Sequence, residues 1–236
     1  MKIIKVNNYS EMSKKACEII IQEIKKKPNL VIGFATGETP LGLYRELIKY
    51  YKKKKIDFSR VKSFNLDEYY PIKKNDRKSY FYYMHKNLFN KINIKKTNVN
   101  LLDGETTNPA KECADYEKKI KKNPIDIQIL GVGVNGHIGF DEPGSVLNSK
   151  TRLISLTRET IKRNSKNGKI PKKALTIGVK TIMSAKKIIL LADGKAKSDA
   201  INHLLEGKTN KDYPVSFLKK HKNLIAILDK NALSLK

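Results

Sequence analysis

A chain of 236 residues with 49 Lys and Arg against 23 Asp and Glu carries a formal charge of +26. The two cysteines, Cys17 and Cys113, lack CxxC spacing, so no disulfide framework or zinc site is encoded, and reduced thiols suit a cytoplasmic protein. No apolar run approaches the roughly 20 residues that span a bilayer, Met1–Val6 is too short for a signal-peptide core, and the lysine-dominated charge lacks the arginine and interleaved aromatics of nucleic-acid readers, so neither membrane nor nucleic acid is an expected partner.

Lys2–Val6 reads as a short strand, and Ser10–Lys27 has helical spacing with Met12, Ala16, Ile19, Ile20 and Ile24 on one face, stopped by Pro28. Residues 29–35 form an apolar strand, followed by a turn and a helix through about Tyr51. Residues 61–66 are a strand ending at Asp67-Glu68, and 79–89 an aromatic-rich helix. A short strand at 98–102 and a helix at 108–121 precede a buried strand at 125–131, which feeds a Gly-rich loop from Gly133 to Gly144. Residues 152–156 read as a strand with a helix from Arg158, 187–193 as a strand with a helix at 195–206, and 224–228 as the last strand. Strands and helices alternate, and several strands are continuous apolar runs, as in a parallel sheet buried on both faces. The expectation is an α/β fold with a doubly wound, mostly parallel, Rossmann-like sheet, residues 1–236 forming a single domain, with ligands at the carboxyl ends of the strands.

Four polar motifs fall at such ends. In Ala35-Thr36-Gly37-Glu38-Thr39-Pro40, Gly37 lets the backbone approach a ligand, Thr39 is placed to cap the helix and Pro40 to start it, and free N–H groups there favour a phosphate. It has neither the GK[ST] ending of a P-loop nor a GxGxxG spacing, so no nucleotide is implied. In Phe64-Asn65-Leu66-Asp67-Glu68-Tyr69 an acidic pair ends an apolar strand, where a carboxylate can serve as general base or cap the next helix. In the loop Gly131 to Pro143, glycines surround His137 and Glu142 lies five residues on; folded back, Glu142 would orient the ring and raise its pKa. His85 and His203 read as structural or solvated. In Asp193-Gly194-Lys195-Ala196-Lys197 a lysine in a first helical turn can reach a phosphate in the same crevice.

TGETP, FNLDEY, GVGVNGHIGFDEPG and GKAK, in this order, together with Tyr213–Leu218 and His221, resemble the glucosamine-6-phosphate deaminase family over essentially residues 1–230. The acidic-Glu-Pro run after His137 distinguishes it from the related 6-phosphogluconolactonases. The resemblance implies conversion of glucosamine 6-phosphate to fructose 6-phosphate and ammonia, without metal or other cofactor, on a small-molecule sugar phosphate. It implies that Asp67 moves a proton between C2 and C1, that His137, oriented by Asn135 and Glu142, assists ring opening, and that Thr36, Gly37, Glu38, Thr39, Gly136, Lys166 and Lys197 bind the substrate.

The sequence departs from the family pattern at several points. Asn135 stands where aspartate is frequent, Asp141 where asparagine is usual, and Glu38 where a small residue is usual. The segment 162–171 is about five residues shorter than usual and lacks the paired phenylalanines of the lid, and Lys166 takes the place of a phosphate-binding arginine. The short C-terminal tail argues against the allosteric regulation found in hexameric members of the family, and a monomer or small homo-oligomer is the expectation. Galactosamine 6-phosphate as substrate, 6-phosphogluconolactonase activity and a non-catalytic sugar-phosphate sensor are the alternatives.

Overall fold

The computed structural model of the chain describes residues 1–165 and 169–234. In chain order its elements are β1 (Lys2–Val6), α1 (Tyr9–Lys26), β2 (Val31–Phe34), α2 (Leu41–Lys52), β3 (Lys62–Asn65), β4 (Asp67–Tyr70), α3 (Tyr80–Asn87), β5 (Val99–Asn100), α4 (Pro109–Lys122), β6 (Ile127–Gly131), β7 (Arg152–Ser155), α5 (Arg158–Asn164), β8 (Lys173–Thr176), α6 (Val179–Met183), β9 (Lys187–Ala192), α7 (Ser198–Leu205) and β10 (Leu224–Asp229).

Seven strands form one sheet in the order β1-β10-β9-β6-β2-β3-β5, with every pair parallel. Side chains alternate between its faces, and both faces are covered. Ile127, Ile129, Ile189, Leu191 and Ile227 pack with α1 and α2. Leu130, Ile188, Leu190, Ala226 and Leu228 pack with residues of α4, α6 and α7. This double burial is the reason the strands read as unbroken apolar runs. The chain leaves β2 toward β3 and β5, then returns to the other side of β2 to add β6, β9 and β10. The crevice between β2 and β6 is therefore the topological switch point, the place where open α/β sheets bind ligands.

A second sheet was not legible in the sequence. Strands β4, β8 and β7 pair antiparallel, with Asp67 opposite Thr176 and Arg152 also opposite Thr176. Residues 152–156, expected in the parallel sheet, therefore belong to this smaller one. The strand expected to end at Asp67-Glu68 instead ends at Asn65, and the chain crosses from one sheet to the other at Leu66. The Leu66 N–H donates to Phe34 O at 3.3 Å, and its carbonyl accepts from Ile177 N at 2.8 Å. Asp67 is thus fixed at the seam between the sheets.

Candidate active site

The seam brings together carboxylates that lie far apart in sequence. Asp67 is 4 % exposed, and its Oδ1 has no partner among the described residues. Its Oδ2 faces the loop after β6: a Cβ built on Gly139 would lie 3.6 Å from it. Burial, followed by the charges of Glu68 and Asp141, holds the Asp67 carboxyl well above the usual carboxylate range. Glu68 turns away and caps α3, accepting from the N–H groups of Tyr80 and Phe81, both at 2.8 Å. The two readings of the acidic pair are thus divided between its members: Glu68 is the cap, and Asp67 is left without a structural partner.

His137 is oriented by Asn135. Its Nδ1 lies 2.7 Å from Asn135 Oδ1, and the same oxygen accepts from the His137 backbone N–H at 3.4 Å. A backbone N–H can only donate, so the amide oxygen faces the ring, the proton sits on Nδ1, and Nε2 is left as an acceptor. The ring lies flat against Gly133, where a Cβ would come within 2.1 Å of Cε1; no other residue fits there.

Two expectations about this loop are corrected. Glu142 makes no hydrogen bond to His137; its Oε2 accepts from Thr157 Oγ1 at 2.6 Å, and its Oε1 is buried without a partner among the described residues. The ring is also not raised in pKa. Burial pushes it down to about 4, and the nearby charge of Glu142 only partly offsets this. His137 is therefore neutral at physiological pH. Thr157 also caps α5, accepting from Thr160 N at 3.2 Å, so Glu142 links the His137 loop to that helix.

The turn after β2 also departs from expectation. Thr39 does not cap α2; Pro40 holds the cap position with no side-chain bond, and Thr39 Oγ1 donates to Asp193 Oδ1 at 3.2 Å. The turn is thereby tied to the end of β9. Gly37 adopts φ +95°, a region open to glycine at little cost, and both it and Glu38 are exposed. The Thr36 side chain meets the Tyr80 hydroxyl. No N–H of residues 36–39 meets an acceptor among the described residues.

Lys197 ends a 3-10 turn (Lys195–Lys197) that leads into α7. It is half-buried, whereas Lys195 is exposed. Burial and the Arg163 guanidinium lower its pKa, while Asp193 and Glu38 act in the opposite direction. Gly136 is buried against Tyr213, and its carbonyl accepts from Val215 N at 2.8 Å. Lys166 lies outside the described residues. Arg163, on α5, was missed by sequence reasoning, although its positive charge is felt at both His137 and Lys197. The available signal was its rarity, as one of six arginines in a lysine-rich chain. Asn164 docks α5 onto the site wall, donating to the Tyr69 hydroxyl at 3.0 Å. The other histidines are structural: His221 Nε2 bonds Ala185 O at 2.7 Å, His85 stacks on Phe81 and His203 on Tyr213. Both cysteines are buried and free.

Among the described residues no helix is long and apolar enough to cross a membrane, and no group of three or more His, Cys, Asp or Glu side chains could hold a metal. The arrangement offers a buried base, a neutral imidazole with a free Nε2, and a cationic turn. It is suited to moving protons on an anionic substrate.

Comparison with known proteins agrees with that chemistry. The family described as glucosamine-6-phosphate isomerases/6-phosphogluconolactonase matches residues 7–226. A glucosamine-6-phosphate deaminase of Clostridium novyi (strain NT) is 50% identical over 239 residues, covering 99% of each chain. One from Clostridium botulinum (strain Langeland) is 49% identical, covering 99% of this chain and 98% of that one. A solved monomeric glucosamine-6-phosphate deaminase superposes with a TM-score of 0.97 at 38% identity over 100% of both chains. The 6-phosphogluconolactonase of Thermotoga maritima shares the fold, with a TM-score of 0.78 at 21% identity over 97% of this chain and 99% of that one.

Proposed function

The chain belongs to the glucosamine-6-phosphate isomerase/6-phosphogluconolactonase family and converts glucosamine 6-phosphate to fructose 6-phosphate and ammonia; we propose that Asp67, His137 and the Thr36–Lys197 crevice divide that work. The observation that carries this division is the buried carboxylate of Asp67, unpartnered at Oδ1, beside the His137 loop. A buried acid with a lone oxygen is costly to the fold, and that cost is offset where a substrate supplies the partner.

His137 Nε2 takes the proton from the anomeric hydroxyl and returns it to the ring oxygen as the C1–O5 bond breaks. Its low pKa keeps it in the neutral form that can accept that proton. Asn135 holds the tautomer, and Glu142 stabilises the transient imidazolium through its field rather than by contact. Asp67 then removes the C2 proton from the open-chain aldehyde and delivers it to C1. The enolamine becomes an iminium at C2, water adds there, and ammonia leaves. Protons and water balance every step, so the sequence is redox-neutral. A base pushed upward by burial is stronger once ionised, and the ammonium of the incoming amino sugar favours that ionisation.

The 6-phosphate sits between the Thr36–Thr39 turn and Lys197, with Arg163 adding charge from α5; the family resemblance adds Lys166 as a further cation for the phosphate. Gly136 shapes the floor beneath His137. Residues 1–236 act as one catalytic unit, since the site draws on both sheets and on α5. The reduced thiols fit a cytoplasmic setting, and the catalytic unit is taken as a monomer or small homo-oligomer.

The test is ammonia release from glucosamine 6-phosphate against galactosamine 6-phosphate, with C2–H exchange in deuterated water. Asp67→Asn should abolish exchange; exchange at the wild-type rate would remove Asp67 from the role of base. Lys197→Ala should raise KM and weaken competition by inorganic phosphate, while the exposed neighbour Lys195→Ala should not. Equal effects at both lysines would mean that general positive field, not a specific contact, binds the phosphate.

A further inference from the structure

We infer that Tyr9 and Tyr83 are positioning residues that aim the backbone N–H groups of Glu38 and Thr39 at the substrate phosphate by holding the carbonyls on the opposite edges of the same peptide planes. The inference rests on the reading that the 6-phosphate binds at the Thr36–Thr39 turn.

The Tyr83 hydroxyl, on α3, donates to Gly37 O. The Tyr9 hydroxyl, at the start of α1, donates to Glu38 O at 3.0 Å and accepts from Gly42 N at 2.7 Å, in the first turn of α2. A peptide unit is planar and trans, so its C=O and N–H point in opposite directions. Holding the Gly37 carbonyl therefore sets the direction of the Glu38 N–H, and holding the Glu38 carbonyl sets that of the Thr39 N–H. Further back, the Tyr44 hydroxyl donates to Ala35 O and sets the Thr36 N–H in the same way. Three tyrosines from three helices thus take up carbonyls of this turn, while the N–H groups of Thr36, Glu38 and Thr39 meet no acceptor among the described residues.

The turn needs this support. Gly37 has no side chain and a positive φ, and a Cβ there would meet nothing within 4 Å, so no side-chain packing restrains the Gly37–Glu38 plane, while the Glu38 carbonyl shares its Tyr9 bond with one from Leu41 N at 3.2 Å. Without the hydroxyls the Gly37–Glu38 plane could rotate and present a carbonyl to the dianion, exchanging attraction for repulsion. Burial holds the Tyr83 hydroxyl above the ordinary tyrosine range, and the proximity of Tyr9 adds to this, so it stays protonated and donates throughout the working pH range. Neither tyrosine touches the sugar's reacting carbons in this reading; both act through the backbone of the turn.

The experiment compares Tyr83→Phe, Tyr9→Phe, Tyr82→Phe and Lys197→Ala. Phenylalanine keeps each ring and removes only the hydroxyl, and Tyr82 supplies a neighbouring control whose hydroxyl meets no partner among the described residues. Tyr83→Phe is the cleaner variant, because Tyr9→Phe also frees the Gly42 N–H. In Tyr83→Phe and Tyr9→Phe, KM for glucosamine 6-phosphate and the inhibition constant of orthophosphate should rise together by about 3- to 10-fold, the effect of losing one neutral hydrogen bond. Turnover number should stay close to wild type, as should every parameter of Tyr82→Phe. Unchanged phosphate inhibition in both variants, alongside weakened inhibition in Lys197→Ala, overturns the inference and leaves the phosphate site standing. A fall in kcat with phosphate inhibition intact also overturns it, as does an equal effect in Tyr82→Phe. If Lys197→Ala too leaves phosphate inhibition unchanged, the phosphate-site reading falls and the inference falls with it.

Discussion

Arg152 Nη2 lies 2.8 Å from Asp141 Oδ1, an ion pair with a carboxylate that is 0 % exposed and whose charge is felt at Asp67. Asp141 is itself raised to about 6: burial lifts it, and Arg152 and Ser149 pull it back. Arg152 thus keeps Asp141 ionised at neutral pH, and the ionised Asp141 in turn disfavours charge on Asp67. Asp141→Asn should therefore move the acid limb of the kcat/KM profile to lower pH. A limb that stays in place would show that Asp141 does not tune the base.

The pKa of Asp67 is raised in the folded state, and the sign of its linkage follows. Above the usual carboxylate value, the folded chain holds a proton that the unfolded chain has released, so stability falls as pH rises through that window. Asp67→Asn should cost roughly 10²- to 10⁴-fold in kcat. At pH 8 it should also raise Tm by about 2–4 °C, the shift that ~1 kcal/mol produces in a chain of this size. Thermal melts of the two proteins at pH 5 and pH 8 check this, since the gain should shrink at the lower pH.

His137 behaves in the opposite sense. Its ring is pushed down to about 4, so between pH 6.5 and 4 the unfolded chain binds a proton that the folded chain does not, and stability declines as pH falls through that range. NMR titration of the His137 imidazole protons should show this ring still neutral at pH 5. Asn135→Asp places a carboxylate on Nδ1 and should raise that midpoint; an unchanged midpoint would mean that Asn135 does not govern the ring.

Gly133→Ala tests the close approach of the ring directly. The added methyl would come within 2.1 Å of His137 Cε1, so the imidazole must move. Loss of the general acid/base should lower kcat by on the order of 10²-fold or more. Asp67-dependent C2–H exchange, assayed on substrate already in the open-chain form, should survive. Loss of that exchange as well would indicate collapse of the loop rather than displacement of one ring.

The sequence by itself determined the large sheet and the places where chemistry could occur. The run Ile188–Ala192 has no polar face, so it can only be a strand covered on both sides. The turns that follow such strands reach the switch point by topology, which is why Thr36–Thr39, His137 and Lys197 stand out as candidates in the sequence. Tertiary structure alone decided the rest. Lys173–Thr176 carries no strand periodicity, and its pairing with Asp67–Tyr70 joins segments about a hundred residues apart, so the second sheet has no local signature. The protonation of His137 depends on the burial of the ring, and a carboxylate five residues away in sequence fixes neither its distance nor the dielectric between them. Thr39 looked like a cap because it precedes Pro40, but Asp193 competes for its hydroxyl from 154 positions away. Arg163 and the tyrosine hydroxyls bear on the site through long-range packing of α1, α3 and α5, a relationship that short-range spacing does not encode.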